Sequence, residues 1–222
     1  MAITESSRDP HANQPLLRRG PSLPDARVVA ILVHGRGGSA EDILSLAEQF
    51  NLRDVAYVAP QAAGRTWYPY SFLAPLEQNE PGISSGLRRL SGLVDDLSEQ
   101  GIPPERVGLL GFSQGACLAL EFAARHPQRY AGVVGLSGAL ISPAGTPQAS
   151  TASLQGTPVF LGCSDIDPHI PLERVRESAN VFRQLGAVVD ERIYPQMGHT
   201  VCRDEVLAVQ ALFGPGSSVQ SL

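Results

Sequence analysis

The sequence predicts an α/β fold in which a mostly parallel central sheet carries helices on both faces. Three observations predict it. Short apolar, β-branched runs alternate with longer segments of helical periodicity, the runs are apolar almost throughout, and Gly and Pro mark the joins. Strands that are apolar at successive positions are buried on both faces, as in a parallel sheet. Their alternation with helices implies βαβ units.

The first run, Arg27–Val33, reads as a strand. Ala40–Phe50 follows as a helix, because Ile43, Leu44, Leu46, Ala47 and Phe50 recur at helical spacing. Further strands are expected at Val55–Ala59, Arg106–Leu110, Tyr130–Leu136, Pro158–Leu161 and Val188–Ile193. Helices are expected at Gly86–Glu99, Gln114–Arg125, Leu172–Leu185 and Val201–Phe213. The pairs Pro103-Pro104, His126-Pro127 and Leu185-Gly186 punctuate the joins. Ala144–Gly156, rich in Ser, Thr, Pro and Gln, reads as a surface loop. Residues 1–25 read as a flexible arm, 26–214 as one folded domain and 215–222 as a flexible, fraying tail. No segment is long enough for a separate lid domain.

Hydrophobic residues make up 43% of the 222, enough to build a core and too many for a disordered chain. The net charge of -5 argues against a nucleic-acid partner, since phosphate binding needs clustered Lys and Arg. The pairs Arg18-Arg19 and Arg88-Arg89 read as solvated surface. Met1–Gly20 lacks the apolar centre of a signal peptide, and no stretch reaches membrane-span length. A cytoplasmic protein without stable membrane insertion is the expectation. Cys117, Cys163 and Cys202 fit neither a disulfide framework nor a zinc site. They read as buried thiols, one of them near the active site.

The strongest local signal is Gly111-Phe112-Ser113-Gln114-Gly115. This Gly-x-Ser-x-Gly lies between an expected strand and an expected helix, the setting of a nucleophile elbow. A turn so tight brings the positions two either side of the serine against neighbouring backbone, so both must be small. The helix that follows aims its N-terminal dipole at developing negative charge. A serine nucleophile needs a base, and the base needs a carboxylate to orient it, in the chain order Ser, Asp or Glu, His. His199 follows the strand that ends at Ile193 and precedes a helix, which puts it at the same sheet edge as Ser113. His126, before Pro127, reads as a helix-end residue. The segment after Pro158–Leu161 offers two acids, Asp165 and Asp167, and local chemistry does not separate them. One would serve the base while the other bonds its own loop backbone. His169 in that loop reads as a pocket or structural residue.

The oxyanion stabiliser is expected from two main-chain N–H groups. One belongs to Gln114, after the nucleophile, and the other to the loop His34-Gly35-Arg36-Gly37-Gly38, where Arg36 is the best candidate. A phosphate-binding reading of that loop fits poorly, because the glycines do not match GxGxxG and no P-loop Lys follows.

With these residues in place, the chain resembles the carboxylesterase/phospholipase family, small lidless α/β-hydrolases that include bacterial carboxylesterases and acyl-protein thioesterases. Gly-Phe-Ser-Gln-Gly, the Asp-Pro-x-Ile-Pro of Asp167–Pro171 and Gly198-His199 carry the resemblance, which runs from about Val28 to Phe213. It implies the α/β-hydrolase fold, Asp167 in place of Asp165 as the acid, Ser113–Asp167–His199 as the catalytic set, and Arg36 and Gln114 as oxyanion donors. Arg36-Gly37-Gly38 and the Gly162–Asp165 segment depart from the common pattern, as does Gly64–Phe72, and this implies a distinct bacterial-type branch.

Trp67, Tyr68, Tyr70 and Phe72 concentrate aromatics in a chain that has only 6%. They either wall a substrate pocket beside Ser113 or pack a long loop onto the body. Arg65 or Arg36 could meet an acidic substrate group, although an exposed Arg usually recognises nothing. The leading expectation is a serine carboxylesterase acting on a small-molecule ester through an acyl-enzyme, with no metal or organic cofactor and with a homodimer allowed. Acyl thioesterase and lactone (dienelactone-type) hydrolase are alternatives, and a non-catalytic binding protein on a hydrolase scaffold is a third, disfavoured by the complete residue set.

Overall fold

A computed structural model describes residues 9–141 and 152–215. Within them, seven strands form one sheet in the order β1-β3-β2-β4-β5-β6-β7. They are β1 (Leu16–Arg19), β2 (Val28–Val33), β3 (Val55–Pro60), β4 (Val107–Phe112), β5 (Gly132–Leu136), β6 (Pro158–Ser164) and β7 (Val188–Tyr194). All neighbours are parallel except β1, which runs antiparallel to β3 with Leu16 opposite Pro60.

Among the described residues, five α-helices cover the faces: α1 (Ala40–Glu48), α2 (Gly82–Glu99), α3 (Gln114–Arg125), α4 (Leu172–Gln184) and α5 (Arg203–Phe213). The period-2 geometry of β2 divides the core. Val29, Ile31 and Val33 join α2, α3 and α4 on one face, while Val28, Ala30 and Leu32 join α1 and α5 on the other. Every residue of β2 and β3 is buried, as their uninterrupted apolar runs require. β7 departs from that expectation. It is an edge strand bearing Asp190, Glu191 and Arg192, and its residues are half-buried or exposed. Charges on an edge block unwanted strand pairing.

Of the boundaries that differ, two show a physical reason. The helix expected from Gly86 begins at Gly82. Gly86 is not a start signal: a Cβ there would lie 2.8 Å from a Leu118 methyl, so it lets α2 approach α3. The arm expected over residues 1–25 is ordered in its described part. Leu16–Arg19 supplies the edge strand, and His11 is 2% exposed. Its backbone N–H donates to Ser85 Oγ at 2.9 Å. Most of the expected loop Ala144–Gly156 lies outside the described residues, as does the tail beyond Pro215.

The parallel arrangement brings the carboxyl ends of β2, β4, β6 and β7 to one edge. The loops that leave those ends carry Arg36, Ser113, Asp167 and His199.

Candidate active site

Ser113 sits between β4 and α3 with φ 55° and ψ -122°, a conformation disfavoured for a residue with a Cβ. The turn is held by the Ser113 N–H donating to Leu136 O at 2.9 Å and by Cys117 N–H donating to Ser113 O at 3.0 Å. The flanking glycines are steric necessities. A Cβ at 111 would stand 2.3 Å from the Gly115 backbone, and one at 115 would stand 2.1 Å from Val33 O. Serine is thus presented at the sheet edge by backbone packing that tolerates no side chain on either flank.

His199 Nε2 lies 2.9 Å from Ser113 Oγ, and its Nδ1 lies 2.7 Å from Asp167 Oδ2. The Asp167 side chain has no solvent exposure. Its other oxygen accepts the His169 and Ile170 N–H groups at 2.8 and 3.1 Å. Burial works to raise the Asp167 pKa, but the His199 hydrogen bond and these amides outweigh it and hold the carboxyl below its ordinary value. A buried, ionised carboxylate facing Nδ1 puts the imidazole proton there and leaves Nε2 to accept from the serine hydroxyl.

Asp165, the second acid, accepts the Gln196 N–H at 2.8 Å. It ties the acid loop to the loop that carries His199, instead of bonding its own loop. Ser164 Oγ does the same work from inside, accepting the Gly198 N–H at 3.1 Å.

The first loop is braced from within. His34 is 1% exposed, and its Nε2 accepts the Ala62 N–H at 3.1 Å, so Nδ1 carries the proton and donates to Gly35 O at 2.8 Å. Burial lowers the His34 pKa, which favours this neutral form. Among the described residues, no acceptor takes the main-chain N–H of Arg36 or of Gln114. Both remain available to a ligand oxygen.

A cleft of about 480 Å³ opens at Ser113 and His199. Tyr68, Tyr70, Phe72 and His169 line it, together with Arg36 and Ile170. Trp67 does not line it, which corrects its assignment to the pocket. The indole is fully buried, and its Nε1–H donates to His34 O at 2.9 Å, since a buried indole donor needs a partner. Trp67 therefore packs the wall from behind while its neighbours face the cleft. His11 was not visible as a participant. Its Nδ1 accepts the Ala63 N–H at 3.1 Å, and its Nε2 donates to Trp67 O at 2.9 Å. No local motif marks a single histidine in a polar arm.

Cys117 is buried and borders the cleft, with its thiol pushed up to about 12 by burial. Cys163 is buried with Sγ 3.8 Å from Asp167 Oδ2, whereas Cys202 is only partly buried at the start of α5. Among the described residues, no group of three or more His, Cys, Asp or Glu could hold a metal ion, and no helix is long and apolar enough to cross a membrane.

Comparison with known proteins identifies the family. The pattern of the phospholipase/carboxylesterase family matches residues 20–213. The crystal structure of a phospholipase/carboxylesterase from Dyadobacter fermentans superposes with a TM-score of 0.85 at 37% identity, covering 90% of this chain and 96% of that one. Acyl-protein thioesterase 1 of Gibberella zeae is 28% identical over 215 residues, spanning 86% of this chain and 91% of that protein. The Bacillus cereus carboxylesterase shares the fold, with a TM-score of 0.71 at 19% identity over 95% of this chain and 98% of that one. The chain belongs to the phospholipase/carboxylesterase family of α/β-hydrolases.

Proposed function

We propose that the protein is a serine carboxylesterase that hydrolyses small carboxylic esters through an acyl-enzyme. The observation that carries this reading is the continuous hydrogen-bonded line Asp167–His199–Ser113, with links of 2.7 and 2.9 Å. Ser113 Oγ attacks the ester carbonyl while His199 Nε2 takes its proton. The tetrahedral oxyanion is received by the Arg36 and Gln114 main-chain N–H groups. His199 then protonates the departing alcohol. Water, deprotonated in turn by His199, cleaves the acyl-enzyme and frees the carboxylic acid. Asp167 fixes the imidazole and stabilises its charged form. The site calls for no metal or cofactor, and a cytoplasmic setting is part of the same proposal.

A second reading, thioester hydrolysis, draws on the acyl-protein thioesterases that match most of the chain at 25–28% identity. The same residues serve both bonds, since an acyl thioester presents the same carbonyl to Ser113.

The test is active-site labelling with a fluorophosphonate, followed by a panel of esters, acyl thioesters and lactones. Labelling with the highest kcat/KM on oxygen esters is expected. Folded protein that fails to label would overturn the serine mechanism, and faster thioester turnover would favour the second reading.

A further inference from the structure

We propose that Arg36 makes this cleft selective for esters that bear a second, anionic group such as a carboxylate or phosphate. This rests on the hydrolase reading above.

The electrostatics of the cleft are one-sided. Among the described residues, no Asp or Glu lines it, although the chain as a whole carries a net charge of -5. Among the described lining residues, Arg36 carries the one guanidinium.

Arg36 is also unneutralised. Among the described residues, eight other arginines pair with carboxylates, including Arg65 nearby, which meets Asp42 at 3.3 Å. Among the described residues, no carboxylate lies within salt-bridge reach of Arg36. Its partners are neutral oxygens: Thr66 Oγ1 at 3.2 Å, Pro69 O at 2.7 Å and Tyr70 O at 2.5 Å. These three bonds orient the guanidinium without cancelling its charge. They engage three of its five N–H groups and leave two for a ligand. The Tyr68 ring, 5.9 Å from the guanidinium carbon, supports it further.

A cation already fixed in place loses little side-chain entropy when it meets an anion. Its position follows from the chain: the same residue offers the main-chain N–H proposed for the oxyanion. The charge is therefore within one side chain's length of the reacting carbonyl. An arginine needed only to clamp the wall would do equally well beside a carboxylate, and here none is provided.

The experiment compares kcat/KM for two matched ester pairs. One pair is mono(4-nitrophenyl) glutarate against its methyl ester, with the charge in the acyl half. The other is 4-acetoxybenzoate against its methyl ester, with the charge in the alcohol half. The wild type is expected to prefer the anionic member of at least one pair by about tenfold, the worth of one hydrogen bond to a charged group. That preference should shrink as NaCl rises from about 0.05 to about 0.5 M. Arg36→Met should cut the anionic-to-neutral ratio about tenfold, whatever it does to the neutral rate, and Arg36→Lys should keep most of the ratio. No wild-type preference in either pair, a preference indifferent to salt, or an Arg36→Met variant whose two rates fall in parallel would overturn the proposal and leave a structural clamp. A wild type that turns over none of the esters and takes no fluorophosphonate would instead overturn the hydrolase reading itself.

Discussion

The Gln114 carboxamide accepts the Trp67 N–H at 2.9 Å and donates to Tyr68 O at 2.8 Å. The residue after Ser113 thus ties the nucleophile turn to the segment that walls the cleft, while its main-chain N–H stays free for an oxyanion. Replacing Gln114 with Leu would leave the Trp67 N–H buried without its acceptor and the Tyr68 carbonyl with Thr66 Oγ1 as its remaining donor, at 3.1 Å. A loss of about 2 kcal/mol is expected in urea unfolding, with KM raised more than kcat is lowered, because the main-chain donor survives.

Ser113→Ala removes the attacking atom and nothing that supports the turn, since the local bonds run through backbone. Fluorophosphonate labelling should vanish and ester turnover should fall about 10⁵-fold or more, with circular dichroism unchanged. Residual labelling in this variant would place the nucleophile elsewhere.

The two acids should separate cleanly. Asp167→Asn disturbs the tautomer of His199 and is expected to lower kcat about 10⁴-fold. Asp165→Asn keeps an oxygen able to accept the Gln196 N–H and should cost less than about tenfold. Comparable losses in the two variants would contradict the assignment.

Gly115→Ala would drive a Cβ to 2.1 Å from Val33 O and 2.5 Å from His34 O, both backbone. Nothing there can rotate away. A destabilisation of about 3 kcal/mol is expected, read as a lower thermal midpoint, with the Ser113 turn displaced and labelling slowed.

Glu205 sets a pH dependence of stability. It is fully buried at the start of α5, and burial raises its carboxyl from 4.5 to about 7, against the Cys202 N–H that partly stabilises the charge. A raised carboxyl pKa means that the folded state holds the proton more tightly than the unfolded chain. Stability contributed by this group is therefore full below about 4.5 and declines as pH rises through about 7. Glu205→Gln should flatten that decline in denaturant titrations taken across this range. An unchanged slope would show that the carboxyl is already ionised in the folded protein.

Much of the site was legible because its chemistry is local in sequence. Ser113 stands in a five-residue motif whose glycines report a steric demand, and His199 follows a strand end and precedes a helix. Asp165 and Asp167 were harder. Both are acids in one short loop, and only the direction of each side chain sends one to His199 and the other to Gln196. Trp67 and Tyr68 are adjacent buried aromatics, yet Tyr68 borders the cleft and Trp67 does not, a division made by the path of a loop without regular period.

The sequence by itself determined the βαβ succession, the fully buried strands and the elbow, because each depends on patterns within one to three turns of chain. Tertiary structure decided what depends on contact across distance. It made an edge strand of Leu16–Arg19 and placed His11 behind Trp67, 56 residues away. It also left the Arg36 guanidinium among carbonyl oxygens, with no carboxylate among the described residues beside it. Hydrogen-bond partners and counter-ions are properties of neighbours in space, and a single chain read in order does not name them.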